Sequence, residues 1–225
     1  MNSNGVLNNL LTIIERDFNK QTVGMASAFI ARSHLVTGPT AGGGSSIIDV
    51  TKTDNIAITN EHCVRNYLEG RAAEMIVYGQ QICPTVARVA AVSHKDDIAI
   101  LRIFQSADFQ NQTGIPIRRY AAKRGEKITQ WGRNANYPNL ALPTFCLNNP
   151  YEDGPFPDEG RCPFGPTNLI HSSLWRGSSG GTATSEDGYV VAVCHHQQVS
   201  APFNTLATPC TEVVQVLLEN GFYTA

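Results

Sequence analysis

The stretch LWRGSSGGTA, residues 174–183, sets two serines among three glycines. Glycine costs conformational entropy wherever ordinary backbone geometry would serve, so this density argues for a turn that bares a side-chain oxygen and aims main-chain N–H groups outward. Nucleophilic attack on a carbonyl needs both features. Ser179 is the candidate nucleophile, although the stretch alone also reads as a flexible Gly/Ser loop. A serine hydroxyl requires a general base, and histidine suits that work near neutral pH. Of the six histidines, those at 34, 94, 171, 195 and 196 read as ordinary surface or core residues. His62 differs, because AITNEHCV places it where an apolar strand ends in a turn. A carboxylate must then hold the imidazole in one tautomer and stabilise its charged form. KDDIAILRI supplies Asp97, preferred over Asp96 because the residue abutting the apolar run is drawn toward the interior.

The rest of the chain must position these groups. Residues 6–18 carry Leu7, Leu10, Leu11, Ile14 and Phe18 at helical spacing, which predicts one amphipathic helix. Beyond it come short β-rich runs divided by Gly, Asn, Asp and Pro: MASAFIAR, SSIIDV, NIAITN, EMIVYG, TVARVAAV, DIAILRI, EKITQWG and GYVVAVCH. Many short strands at near-regular spacing read as an antiparallel barrel or sandwich. PCTEVVQVLLENG at 209–221 predicts a closing helix, with Thr211 as N-cap and Gly221 as stop. The body is therefore all-β, with a helix at each end. Five prolines between Asn148 and Pro166 exclude a central strand and make that acidic stretch an exposed loop beside the glycine-rich turn.

A hydrophobic content of 42%, a charged content of 16% and a net charge of −2 describe a soluble chain without the basic surplus of a nucleic-acid binder. No apolar run approaches the ~20 residues of a membrane helix. Met1–Lys20 does not read as a secretory signal, so the cytoplasm is favoured. The six cysteines form no CxxC pair, and no metal site or cofactor is expected. Cys146 and Cys162, flanking the irregular loop, are the cysteines best placed for a disulfide.

AITNEHCV, DDIAILRI and RGSSGG, in the order His, Asp, Ser, resemble the triad segments of chymotrypsin-fold, trypsin-like serine proteases. GGGSSIIDVTKTDNIAITNEHCV, ARVAAVSHKDDIAILRI, RGEKITQWGRN and EDGYVVAV extend the resemblance toward the high-temperature-requirement (HtrA-like) branch. It implies two six-stranded antiparallel β-barrels with the active site in the cleft between them. An N-terminal helical segment at 1–19 would precede a first barrel at 20–112, which carries His62 and Asp97. A second barrel at 113–225 would carry Ser179 and the C-terminal helix. The resemblance makes His62 the base, Asp97 the orienting carboxylate and Ser179 the nucleophile. The N–H groups of Gly177 and Ser179 then form the oxyanion hole, Gly177 letting its amide turn toward the developing oxyanion, while Gly180 and Gly181 let the following strand pass close behind.

Departures narrow that picture. Ser178 stands where trypsin-type enzymes hold an aspartate for a new N-terminus, so zymogen activation by that ion pair is not expected. No cysteine precedes Cys63, so the bridge beside the catalytic histidine cannot form. Thr182 replaces the usual proline, and no PDZ domain is expected after the closing helix. By position, Ser173 lies near the floor of the specificity pocket and Ala192–Gln197 form a wall, with Cys194 and His195 as candidate substrate contacts. The absence of a carboxylate there argues against an Arg or Lys preference. The expected partner is a protein or peptide substrate, with neither nucleic acid nor membrane, and the N-terminal helix offers a homo-oligomer contact. Two alternatives stay open: a peptide-binding pseudoprotease, and a processing domain of a polyprotein.

Overall fold

The run Ile98–Ile103 is apolar at nearly every position because both of its faces are covered. Strand side chains alternate between faces: Ile98 and Ile100 join one buried cluster, while Ala99, Leu101 and Ile103 join another. The structure, a computed structural model, describes residues 3–31, 56–103, 112–133, 139–153, 165–172, 177–198 and 201–222. Ser173, Cys162, the run at 45–50 and most of the proline-rich loop lie outside the described residues.

Six strands, β1 (Leu10–Arg16), β2 (Thr22–Ile30), β3 (Ile56–Thr59), β4 (Glu74–Gly79), β5 (Ile82–Ser93) and β6 (Ile98–Ile103), close a barrel in the order β1-β2-β3-β6-β5-β4. Every pairing in it is antiparallel. Leu11, Ile13, Ala28, Ile30, Met75, Val77 and Leu101 make its core. A second sheet holds β7 (Lys127–Gly132), β8 (Leu140–Phe145), β9 (Asn168–Ile170), β10 (Thr182–Ser185), β11 (Val190–Gln197) and β12 (Thr205–Pro209), ordered β8-β7-β10-β11-β12-β9. Its edge strands β8 and β9 meet through a single antiparallel bridge, Cys146 to Ile170. The molecule is thus the expected all-β, two-barrel fold of the chymotrypsin type, with the first barrel closed by its ladders and the edges of the second meeting, among the described residues, at that bridge and the main-chain bonds beside it.

The cluster that takes Ile98 and Ile100 also takes Phe29, Ile58, Trp131 and Val193, so it welds the two sheets together. The C-terminal helix covers it with Val213, Val216 and Leu217. That helix runs Cys210–Glu219 behind Pro209, without the side-chain cap expected from Thr211, and Gly221 follows it at φ +72°.

The amino terminus departs from expectation. In place of a helix over 6–18 there is a short helix α1 (Ser3–Leu7), then β1. β1 is hydrogen-bonded on both edges, to β2 and to β4. It also buries both faces, Leu10 in the cluster between the sheets and Leu11 inside the barrel. A strand covered on both faces shows no two-residue alternation, and the same leucines fit a helical period by accident. Phe18, expected on the apolar face, is 79% exposed. Cys146 is a buried thiol whose Sγ donates to the carbonyl of Asn148 at 2.8 Å, while Cys162, its expected disulfide partner, lies outside the described residues. No described helix is long and apolar enough to cross a membrane.

Candidate active site

β3 stops at Asn60, a buried residue in extended conformation whose Nδ2 donates to the carbonyl of Asp97 at 2.9 Å. The chain then tightens into a 3-10 turn, Glu61–Val64, pinned by Cys63 and Val64 in the first barrel's core. His62 is therefore held half-buried at the barrel's end. Asp97, just before β6, sits at φ +51°, a left-handed conformation that aspartate tolerates better than most residues. That geometry lets its carbonyl accept from both Asn60 and the N–H of Glu61. Its carboxylate, 0% exposed, accepts the main-chain N–H of His62 at 2.9 Å on Oδ1 and faces His62 Nδ1 at 2.7 Å with Oδ2. One carboxylate thus holds His62 twice, by its main-chain N–H and by its ring. Burial by itself disfavours the imidazolium, but the hydrogen bond donated to Asp97, aided by Cys63 and the carboxylate's charge, outweighs it and pushes the His62 pKa up to about 10.

Asp96 is buried as well, 3% exposed, so burial does not separate the two aspartates as the sequence suggested. Orientation does: Asp96 accepts from Ser93 Oγ at 2.6 Å, and its carbonyl accepts from Thr208 Oγ1 at 2.7 Å.

The glycine-rich turn is clamped between both barrels. Gly177 and Gly180 take φ +86° and +82°, conformations that glycine alone adopts freely. A methyl group added at Gly180 would lie 2.1 Å from both the Ser27 carbonyl and Thr59 Oγ1. At Gly181 it would lie 2.2 Å from the Trp131 carbonyl. The close passage expected at these two glycines is real, and it is made against β2, β3 and β7. Ser27 is the clasp. Its N–H donates to the Ser179 carbonyl at 2.9 Å, and its hydroxyl accepts the N–H of Arg133 at 2.9 Å while lying 2.6 Å from the Arg133 carbonyl and 3.0 Å from that of Gly177. Thr59 Oγ1 completes it by donating to the Ser27 carbonyl. Because Thr59 ends the strand that leads into His62, the turn bearing Ser179 is seated at that same rim of the barrel.

β11 approaches from the other side. Its register against β12 shifts between Cys194 and His196, a bulge of the kind that re-aims side chains. The His195 carbonyl accepts a hydrogen bond from Ser179 Oγ at 3.0 Å, and the His196 ring lies over His62 with centroids 4.9 Å apart and planes tilted by 47°. The buried His195 ring brings Nδ1 to 2.9 Å from His196 Nδ1. Burial first, then the neighbouring His196 and His62, hold its pKa well below the ordinary value, so it stays neutral. Cys194 lies fully buried in the second sheet's core, its thiol pushed up to about 12 by burial, and it reaches the turn only through main-chain bonds to Gly180 and Gly181. The wall formed by Cys194 and His195 thus meets the turn through backbone groups. Ser27 and His196 were not singled out in the sequence. Neither bears a local signal, since each acquires its place through a strand register that brings distant segments together.

A closed barrel joined to a six-stranded partner sheet, with an imidazole–carboxylate pair beside a tight glycine turn at their junction, defines the class of chymotrypsin-like hydrolases. The chain belongs to the family described as the trypsin-like peptidase domain, whose model matches residues 44–193. Its fold is similar to that of a serine endoprotease from Yersinia pestis, with a TM-score of 0.70 at 16% identity over 98% of this chain. The match spans only 66% of that longer chain. The Rv3671c protease from M. tuberculosis in its active form is similar at a TM-score of 0.66 and 18% identity, covering 99% of this chain and 84% of that one. The inactive form of Rv3671c protease gives 0.65 and 17%, with 97% and 91% covered. No curated protein sequence matches the chain.

Proposed function

We propose that this peptidase is a serine endopeptidase that cleaves through an acyl-enzyme, with Ser179 as nucleophile, His62 as general base and Asp97 as the group that orients and stabilises the imidazolium. In the first half-reaction Ser179 Oγ adds to the scissile carbonyl carbon while His62 Nε2 takes the hydroxyl proton. The same proton then goes to the departing amine. In the second half, water attacks the ester while giving a proton to Nε2, and His62 passes that proton to Ser179 Oγ as the acid product leaves. The N–H groups of Gly177 and Ser179 receive the charge on the substrate oxygen, a contribution of roughly 3 kcal/mol per donor in related chemistry.

The observation that carries this reading is the 2.7 Å contact between His62 Nδ1 and the fully buried Asp97 carboxylate. A buried carboxylate that also takes the residue's own N–H leaves Nε2 as the working nitrogen. One observation favours the rival, a peptide-binding protein without catalysis: the Ser179 hydroxyl is engaged by the His195 carbonyl. Labelling with a fluorophosphonate separates the two. The peptidase gives one covalent adduct on Ser179 that Ser179→Ala abolishes, and an unlabelled, folded chain would overturn the proposal.

A further inference from the structure

We propose that His62, Asp97 and His196 together form a seat for one divalent transition-metal ion, such as zinc, and that the ion, once seated, silences the base. The effect on turnover rests on the serine-peptidase reading; the binding itself does not. Each of the three side chains presents a ligand atom, and these atoms all lie within 4.8 Å of one another. Two imidazoles and a carboxylate are a recurrent zinc donor set, which leaves a fourth position for water. Imidazole-rich sets favour zinc, copper or nickel over magnesium and calcium. Bonds of about 2.0–2.2 Å require the donors to draw together, a movement that a side-chain rotation of the half-buried His196 supplies.

The seat is also organised beyond its ligands. Asp97 is held by its main-chain bonds to Asn60 and Glu61. His196 is held at one nitrogen by His195 Nδ1, and a hydrogen bond at one ring nitrogen orients a histidine for a ligand at the other. His62 and His196 are only half-buried, so an ion has a route from solvent, while Asp97 waits beneath them. The bulge at His195 is what brings His196 over the pair, so the third ligand is a feature of this β11 rather than of the two catalytic segments alone. The ion would act as an inhibitor and take no part in the reaction.

Calorimetric titration of the full chain with zinc chloride tests the seat, with cobalt(II) absorbance reporting the ligands. The expected result is one site per chain in both the wild type and Ser179→Ala, weakened at least tenfold by His196→Gln, with no heat from magnesium. Cobalt should give the visible bands of nitrogen and oxygen ligation. Peptidase turnover should fall as zinc is added, return with a chelator, and resist zinc in His196→Gln. Circular dichroism of each variant confirms that it is folded, and His196→Asn provides a second substitution if the first is not. Absence of zinc binding, binding indifferent to His196, or cobalt bands showing thiolate ligation at Cys63 would overturn the seat. Zinc binding lost with His196 in a chain that never turns over peptide would keep the seat and remove the peptidase reading.

Discussion

The hydroxyl of Ser179 donates to the main-chain carbonyl of His195 at 3.0 Å, while the group beside Nε2 of His62 is Cys63 Sγ at 3.5 Å. The two partners proposed to share a proton are each occupied elsewhere. Releasing them is inexpensive: a neutral hydrogen bond contributes about 1 kcal/mol net, and catalytic bonds commonly tighten only when substrate arrives. In the resting arrangement the proposed nucleophile is thus held by a main-chain carbonyl.

Ser179→Ala should therefore lower turnover by about 10⁶-fold while changing stability by about 1 kcal/mol or less. Peptide hydrolysis and urea unfolding of the same preparation measure both. A variant retaining more than a few per cent of wild-type turnover would remove Ser179 from the mechanism.

Ser27 lies in the first barrel yet holds the turn that bears Ser179. Its hydroxyl is the acceptor for the Arg133 N–H and sits against the carbonyls of Arg133 and Gly177. Ser27→Ala strands these buried groups, at a cost of about 1–3 kcal/mol, and loosens the backbone that carries the oxyanion donors. Turnover should drop with little change in KM, because donors to the oxyanion act on the transition state. Unaltered turnover in a destabilised variant would show that the clasp serves stability alone.

What the sequence revealed, and what it hid, follows from the reach of each signal. The glycine turn, the strand ending at His62 and the apolar run after Asp97 are local features, and strands such as Glu74–Gly79 fall where alternation and turn residues put them. Leu10–Arg16 was hidden because covering on both faces erases alternation, leaving leucines that fit a helix equally well. Asp96 and Asp97 could not be told apart by interior position, since both are buried; the left-handed backbone of Asp97 decides which reaches His62. His196 and Ser27 depend on a bulge and on contacts across more than a hundred residues, which no window of sequence contains.

Glycine substitutions separate close approach from mere backbone preference. Gly180 and Gly125 have nearly the same backbone angle, φ +82° and +78°. A methyl group at Gly125 meets nothing within 4 Å, whereas at Gly180 it strikes the Ser27 carbonyl and Thr59 Oγ1. Gly125→Ala should cost only the left-handed penalty of about 1–2 kcal/mol and leave turnover intact. Gly180→Ala must also displace the clasp, so it should lower the melting temperature further and abolish turnover. Equal melting temperatures would show that the clasp yields freely.

Asp97→Asn tests the charge on which the pair depends. Asparagine tolerates the same left-handed backbone, so the turn survives while the negative charge goes. In the wild type His62 is raised to about 10, and only its neutral form can take the serine proton. The acid limb of kcat/KM should therefore lie on the alkaline side of the ordinary histidine value of about 6.5, with activity lost as pH falls. Replacing Asp97 leaves burial, which lowers the pKa, without its main counterweight, so the limb should move to lower pH while the plateau falls by about 10⁴. Stability runs the opposite way with pH. The raised pKa contributes folding free energy fully below the unfolded value and loses it as pH climbs through about 10; the asparagine variant should lack that alkaline decline. Rate profiles and urea midpoints across the neutral and alkaline range read both effects, and an acid limb unmoved by Asp97→Asn would show that the carboxylate does not set the basicity of His62.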